Sequence, residues 1–212
     1  MLVLGINTVA DACEAALVDG ARVVGDVSEP MTQGHDARLA PVVDRLMREA
    51  GQDFSKLDRV AVIVGPGSFT GVRVGVSFAR ALALALDIPA VGVSSLEALD
   101  HLPPTGAALG VLAAKRRPPQ RSWWVQQLRD GRGVAAPDEM EEAGIIALAG
   151  ETGVVCGQVE GLTVSATRIV PARPSARASA LFAARLAADD LPAARPVYVR
   201  EPDAAPMRPV RT

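Results

Sequence analysis

The stretch Gly65-Pro66-Gly67-Ser68-Phe69-Thr70-Gly71-Val72-Arg73-Val74-Gly75 decides the fold. The apolar run Val60-Ala61-Val62-Ile63-Val64 leads into it and reads as a buried strand. Val76 through Leu86 follows, reads as a helix and stops at Asp87-Ile88-Pro89. Strand, glycine-rich turn and helix N-terminus together present backbone N–H groups to an anion. Pro66 fixes one backbone angle, the glycines allow close approach of another group, and Ser68 or Thr70 can cap the helix. The spacing excludes a Walker A loop, because no Lys-Ser or Lys-Thr follows Gly71. It excludes a dinucleotide fingerprint, because Thr70 stands where the third glycine belongs. Two readings stay open: an anion or nucleotide loop formed by Gly65, Gly67, Ser68, Thr70 and Gly71, or a tight turn with close packing.

Outward from this stretch, residues 2–8, 13–18 and 21–28 read as strands, the last two joined by a turn at Asp19-Gly20. A helix over 36–50 carries Leu39, Val42, Val43, Leu46, Met47 and Ala50 on one face, and Pro41 must lie near its first turn or kink it. Strand 59–64, helix 70–86, strand 89–93 and a helix from about Ser95 follow. This β-β-β-α-β-α-β-α order is that of a ribonuclease-H-like domain. A weaker repeat follows, with strands 107–113, 122–129 and 132–136 and a hairpin turn at Asp130-Gly131. Helix 138–149 capped by Asp138, strand 153–156 and helix 175–189 complete it. The expectation is an α/β fold of two ribonuclease-H-like βββαβα lobes, the second degenerate, in the actin/hexokinase/Hsp70-like (ASKHA) arrangement. The lobes divide as 1–103 and 104–200, and 201–212 is a Pro/Arg tail.

The chain has 212 residues, 49% of them hydrophobic, with a net charge of −2 and 3% aromatics. It can bury a core built from Val, Leu, Ile and Ala, and it has no global attraction for nucleic acid. Cys13 and Cys156 stand far apart without a CxxC pair, which suits a reducing compartment and argues against zinc. No basic-then-apolar leader and no uninterrupted membrane-length run appear, so cytoplasm is the expectation.

The run GPGSFTGVRVG, with Met1-Leu2-Val3-Leu4-Gly5-Ile6-Asn7-Thr8, resembles the TsaB (YeaZ) family, bacterial partners of TsaD in making threonylcarbamoyladenosine on tRNA. The resemblance covers residues 1 to about 100 and returns at Pro196-Val197-Tyr198-Val199-Arg200, similar to the family's PVYLR strand. It implies a non-catalytic scaffold that binds TsaD, with the ATPase TsaE as a further partner and a homodimer as an alternative pairing. The assembled complex would modify the adenosine beside the anticodon of tRNAs reading ANN codons. ATP or ADP with Mg would sit at the complex interface, and the chain itself would hold no metal and be no enzyme on its own. Asn7 stands where the pattern usually has Asp, which removes the charge that attracts a hard cation. Asp11 is the nearest substitute.

Helix 70–86 repeats Gly71, Gly75, Ala79 and Ala83 every four residues, a smooth stripe that lets another helix approach. It is apolar almost all round, so a second buried face is expected. By resemblance, the partner or dimer surface comprises Leu39, Val43 and Met47 of helix 36–50 with Arg73, Gly75, Val76, Ala79, Arg80 and Ala83. Arg73 can equally hold an anion. His35 suits a capping or surface role, and His101 has no companion for a metal pair. Lys115 to Arg121 is a basic run beside Trp123 and Trp124, suited either to tRNA phosphates and base stacking or to a solvated hairpin with one Trp in the core. Ala114-Lys115-Arg116 departs from the family's Asp-Ala-Arg-like element. A stand-alone ATPase or phosphotransferase using the glycine loop is the rival reading. A peptidase lacks a nucleophile and ligands.

Overall fold

The computed structural model describes residues 1–114, 121–165 and 168–199. Strands β1 (Leu2–Asn7), β2 (Ala12–Asp19) and β3 (Arg22–Pro30) form an antiparallel meander, and β4 (Arg59–Ile63) and β5 (Ala90–Val93) add in parallel on the far side of β1. The resulting order is β3-β2-β1-β4-β5. β1 and β4 are buried at every residue, as continuous apolar strands covered on both faces must be. Helices α1 (His35–Glu49) and α2 (Phe69–Leu86) lie side by side on one face, and their apolar sides fill the largest core. Pro41 lies inside α1, in its second turn, where it has no N–H to offer the Ala37 carbonyl. α2 is long and apolar enough by composition to cross a membrane, but Gly75, Ala79 and Ala83 pack it onto the sheet as a layer of the fold.

The second sheet runs β11-β10-β6-β7-β8, from β6 (Ala107–Ala114), β7 (Ser122–Arg129), β8 (Arg132–Gly133), β10 (Val154–Gly157) and β11 (Arg168–Pro171). The β6–β7 pair is antiparallel, and the β7–β8 turn puts Asp130 and Gly131 at φ 53° and 71°, the turn that an Asp-Gly pair favours. Helix α3 (Glu142–Thr152) covers one face through Ile145 and Ala149 against Leu109, Val111, Trp123 and Val155. The architecture is the two-lobed actin/hexokinase-like one, and the second lobe is reduced.

Several expected elements differ, and the strand expected over 132–136 is only Arg132–Gly133. Residues 95–98 form turns rather than a helix, because Ser94 Oγ takes the Leu96 N–H and the Glu97 carboxylate takes the N–H groups of Ser94 and Gly133. These turns place Leu96 and Leu99 over the second sheet beside Leu112 and Cys156. Helix 138–149 begins only at Glu142, and Asp138 does not cap it. Asp138–Met140 is strand β9, paired with Trp123–Val125. The helix expected over 175–189 is α4 (Ala176–Ala184), capped by Ser175, and it packs on the free face of the first sheet. Buried Arg59 of β4 donates to the carbonyls of Ala183 and Leu186 at 2.7 and 2.8 Å and so caps its C-terminus. After α4 the chain runs back along the first lobe, where Ala193 bridges to Val91 and Val197 N–H donates to the Val64 carbonyl. Residues 197–199 form no strand of their own.

Candidate functional site

The glycine loop lies where the two lobes meet. Ser68 caps α2, its Oγ accepting the Gly71 N–H at 3.2 Å, while the Ser68 N–H donates to the Val9 carbonyl. The end of β1 presses on the helix: Thr8 Oγ1 donates to the Gly71 carbonyl at 2.7 Å. A Cβ on Gly71 would stand 1.9 Å from the Thr8 carbonyl oxygen, and one on Gly75 would stand 2.5 Å from Thr8 Oγ1. Close packing against Thr8 therefore accounts for both glycines. Thr70 is exposed at the helix start, and Gly65 and Gly67 line the turn.

Beside the loop an interlobe cleft of about 380 Å³ is walled by Asp11, Pro66, Ser68, Trp124, Gln158 and Tyr198. Asn7 is not in that wall. It is fully buried, its amide donating to Glu14 at 2.9 Å and to the Pro174 carbonyl at 3.1 Å, and its Oδ1 accepting the Val9 N–H. Asn7 thus serves the core rather than lining the cleft, because both its amide hydrogens and its Oδ1 are bonded to buried neighbours. The Glu14 carboxylate also accepts from Ser28, Arg173 and the Ala176 N–H at the start of α4. That pairing, chiefly the hydrogen bond and then the charge of Glu14, holds the Arg173 guanidinium even more firmly protonated than usual. Sequence reasoning missed Glu14; a carboxylate inside an otherwise apolar strand was its signal.

Arg73 is exposed and packs against the returning chain. Its guanidinium lies 3.9 Å from the Phe69 ring centre, and its Nε donates to the Tyr198 hydroxyl at 3.0 Å. The Phe69 and Tyr198 rings are 5.0 Å apart. This stack clamps the returning chain over the start of α2.

Of the nine residues expected at a partner surface, Leu39, Val43, Met47, Gly75, Val76, Ala79 and Ala83 are buried in the chain's own core. The small stripe faces the first sheet. Arg73 and Arg80 face outward with Ser77, Ala81 and Leu84, and Leu84 is 84% exposed. The helical period that put Gly75 and Ala79 on one face puts these residues on the other. His35 neither caps nor lies on the surface: it is the first residue of α1 and buried, Gly34 occupies the cap position, and Nε2 has no hydrogen-bond partner among the described residues. His101 is exposed, in the left-handed conformation at φ 62°. Trp123 is buried and Trp124 turns to the cleft, so one Trp of the pair enters the core. Lys115 to Gln120 lie outside the described residues; Arg121 is exposed over the Trp123 ring. Among the described residues no three His, Cys, Asp or Glu side chains cluster to hold a metal. Both cysteines are buried; burial, with Glu29 nearby, pushes the Cys13 thiol up to about 11.

Residues 21–104 match the family profile of TsaD, tRNA N6-adenosine threonylcarbamoyltransferase. The tRNA threonylcarbamoyladenosine biosynthesis protein TsaB of Escherichia coli is 33% identical over 146 residues, 66% of this chain and 61% of that protein. A threonylcarbamoyltransferase of Afipia carboxidovorans is 41% identical over 118 residues, 46% of this chain and 33% of that enzyme. The chain thus spans about three fifths of the first relative's length and a third of the second's. An uncharacterised protein of Mycobacterium bovis is 32% identical over 208 residues, covering 97% of this chain and 94% of its own. Among solved structures, YeaZ of Pseudomonas aeruginosa matches with TM-score 0.70 and 27% identity, covering 93% of this chain and 99% of that one. A second Pseudomonas aeruginosa structure, described as similar to YeaZ, matches with TM-score 0.74 and 26% identity over 94% and 99%. With the same two lobes matched along nearly their whole length, and with TsaB among its relatives in sequence, the chain belongs to the TsaB (YeaZ) family.

Proposed function

We propose that this chain takes part in threonylcarbamoyladenosine biosynthesis on tRNA by docking onto a TsaD-type transferase through the outer face of α2. One observation carries the reading. An 18-residue apolar helix buries its small-residue side on its own sheet and leaves Leu84 bare at the other, with Arg80 one turn before it and Arg73 about 16 Å up the helix. Leu84 with exposed Ala81 and Ala85 forms a small apolar patch beside Arg80, which suits a partner offering an apolar pocket and a carboxylate. The chain is a scaffold in this reading. Transfer of threonylcarbamoyl to the adenosine beside the anticodon, its metal and its ATP or ADP belong to the assembled complex, with TsaE as a later member. A stand-alone ATPase gains little support, since Asn7 and Gly71 are engaged in core contacts.

Size-exclusion chromatography with light scattering tests it, using the chain alone and mixed with its cognate TsaD. The wild type forms a mixed complex, and Leu84→Glu and Arg80→Glu weaken it at least tenfold. A complex unaffected by both variants, or no complex with TsaE and nucleotide present, overturns the reading. A homodimer that the same variants dissolve would assign the face to self-association instead.

A further inference from the structure

The chain passes between the lobes twice, at 94–106 and at 172–175. The two crossings run side by side: Leu99 bridges to Pro174, Asp100 N–H donates to the Arg173 carbonyl, and Ser175 N–H donates to the Ala98 carbonyl. The second crossing is also tied into the interior of the first sheet. Arg173 Nη1 donates to Glu14 at 2.5 Å, and the Pro174 carbonyl accepts from Asn7. Pro174 at the same time lines the interlobe cleft, so the tie lies directly behind the cleft wall.

We propose that Glu14 and Arg173 form a latch that fixes how far the cleft beside the glycine loop opens. The two ends of the pair differ. The Glu14 side chain is 4% exposed and fixed in β2, whereas Arg173 is 56% exposed on the crossing. When Arg173 swings into water, Glu14 keeps three donors, from Asn7, Ser28 and Ala176, so release does not orphan a buried carboxylate. Release breaks one charge-assisted hydrogen bond, so the displaced arrangement of the crossing is the minor one while that bond holds. The charged groups around the pair leave one carboxylate in excess. Asp100 accepts from Ser175 and pairs with Arg177, and Asp26 of β3 lines the same small cavity of about 130 Å³.

The lobe separation reads the latch directly. Exposed Ala40 on α1 and Ala147 on α3 are replaced by Cys and spin-labelled in the full chain, Cys13 and Cys156 being buried. Electron–electron double resonance then gives the distance between the lobes. Wild type and Arg173→Lys give one narrow distribution. Arg173→Met and Glu14→Gln add a second component, raising the population of displaced lobes about tenfold. A distribution for folded Arg173→Met that superimposes on wild type overturns the latch, even if its melting temperature falls. A second component in Glu14→Gln without one in Arg173→Met also overturns it. Should Glu14→Gln fail to fold, half-exposed Arg173→Met decides alone.

Discussion

Replacing Asn7 by Asp restores the residue usual in the family and, in this chain, should destabilise it. The Asn7 amide donates to the Glu14 carboxylate at 2.9 Å, and both side chains are buried. An aspartate there sets two carboxylates about 3 Å apart, a repulsion of about 5 kcal/mol at an effective dielectric of about 20. Protonating one carboxyl at pH 7 costs less, about 4 kcal/mol for a group with an ordinary value near 4. The pair therefore takes up a proton on folding, and the expected loss at pH 7 is about 4 kcal/mol. The variant's folded-state pKa is raised, so the deficit is smallest below about pH 4, where one O–H replaces the two amide donors to Glu14 and the Pro174 carbonyl, and it grows by about 1.4 kcal/mol per unit as pH rises. Urea unfolding of wild type and variant at pH 7 and pH 4.5 measures this. The double variant Asn7→Asp/Glu14→Gln supplies an amide from the other side, with an expected coupling of about 2 kcal/mol in its favour. An Asn7→Asp variant within about 0.5 kcal/mol of wild type at pH 7, or a deficit independent of pH, would refute the reasoning.

Gly71→Ala forces a Cβ into the Thr8 carbonyl and is expected to cost about 3 kcal/mol or more, whereas Gly150→Ala in the exposed part of α3, with open space around it, should stabilise by about 0.5 kcal/mol; thermal melts compare the two. Arg59→Met removes both bonds to the end of α4 and should cost about 2 kcal/mol, with hydrogen exchange accelerating in α4 before β4. The Cys13 thiol, raised to about 11, stabilises the fold fully below about pH 9 and loses that contribution as pH climbs toward 11. Wild type should therefore weaken by about 2 kcal/mol more than Cys13→Ala between pH 8 and pH 10.5, read from urea midpoints.

The first lobe was legible because its signals are local and strong. The short apolar run of β2, the Asp19-Gly20 turn, the apolar period of α1 and the capped glycine turn before α2 each specify one conformation. The second lobe was less legible where side chains compete with the backbone. Ser94 and Glu97 divert residues 95–98 into turns, and Asp138–Met140 pairs with β7 although its acidic residues look like a helix start. The placement of α4 on the first sheet follows from chain return, which periodicity does not encode. At the site, the Gly71-Gly75-Ala79-Ala83 stripe was visible, but a smooth stripe fits a sheet as well as a foreign helix. The meaning of Asn7 depended on Glu14, Pro174 and Arg173, residues far apart in sequence that meet only in the fold.

The central claim is that the chain acts through the outer face of α2 rather than through chemistry at the glycine loop. Reconstituted modification of an unmodified tRNA by TsaD, TsaE and this chain, with threonylcarbamoyladenosine quantified by mass spectrometry, tests it most directly. The account predicts product that depends on the chain, falls at least tenfold with Leu84→Glu and Arg80→Glu, and is retained with Ser68→Ala and Thr70→Val. Full product from the α2 variants with loss in the loop variants would contradict it.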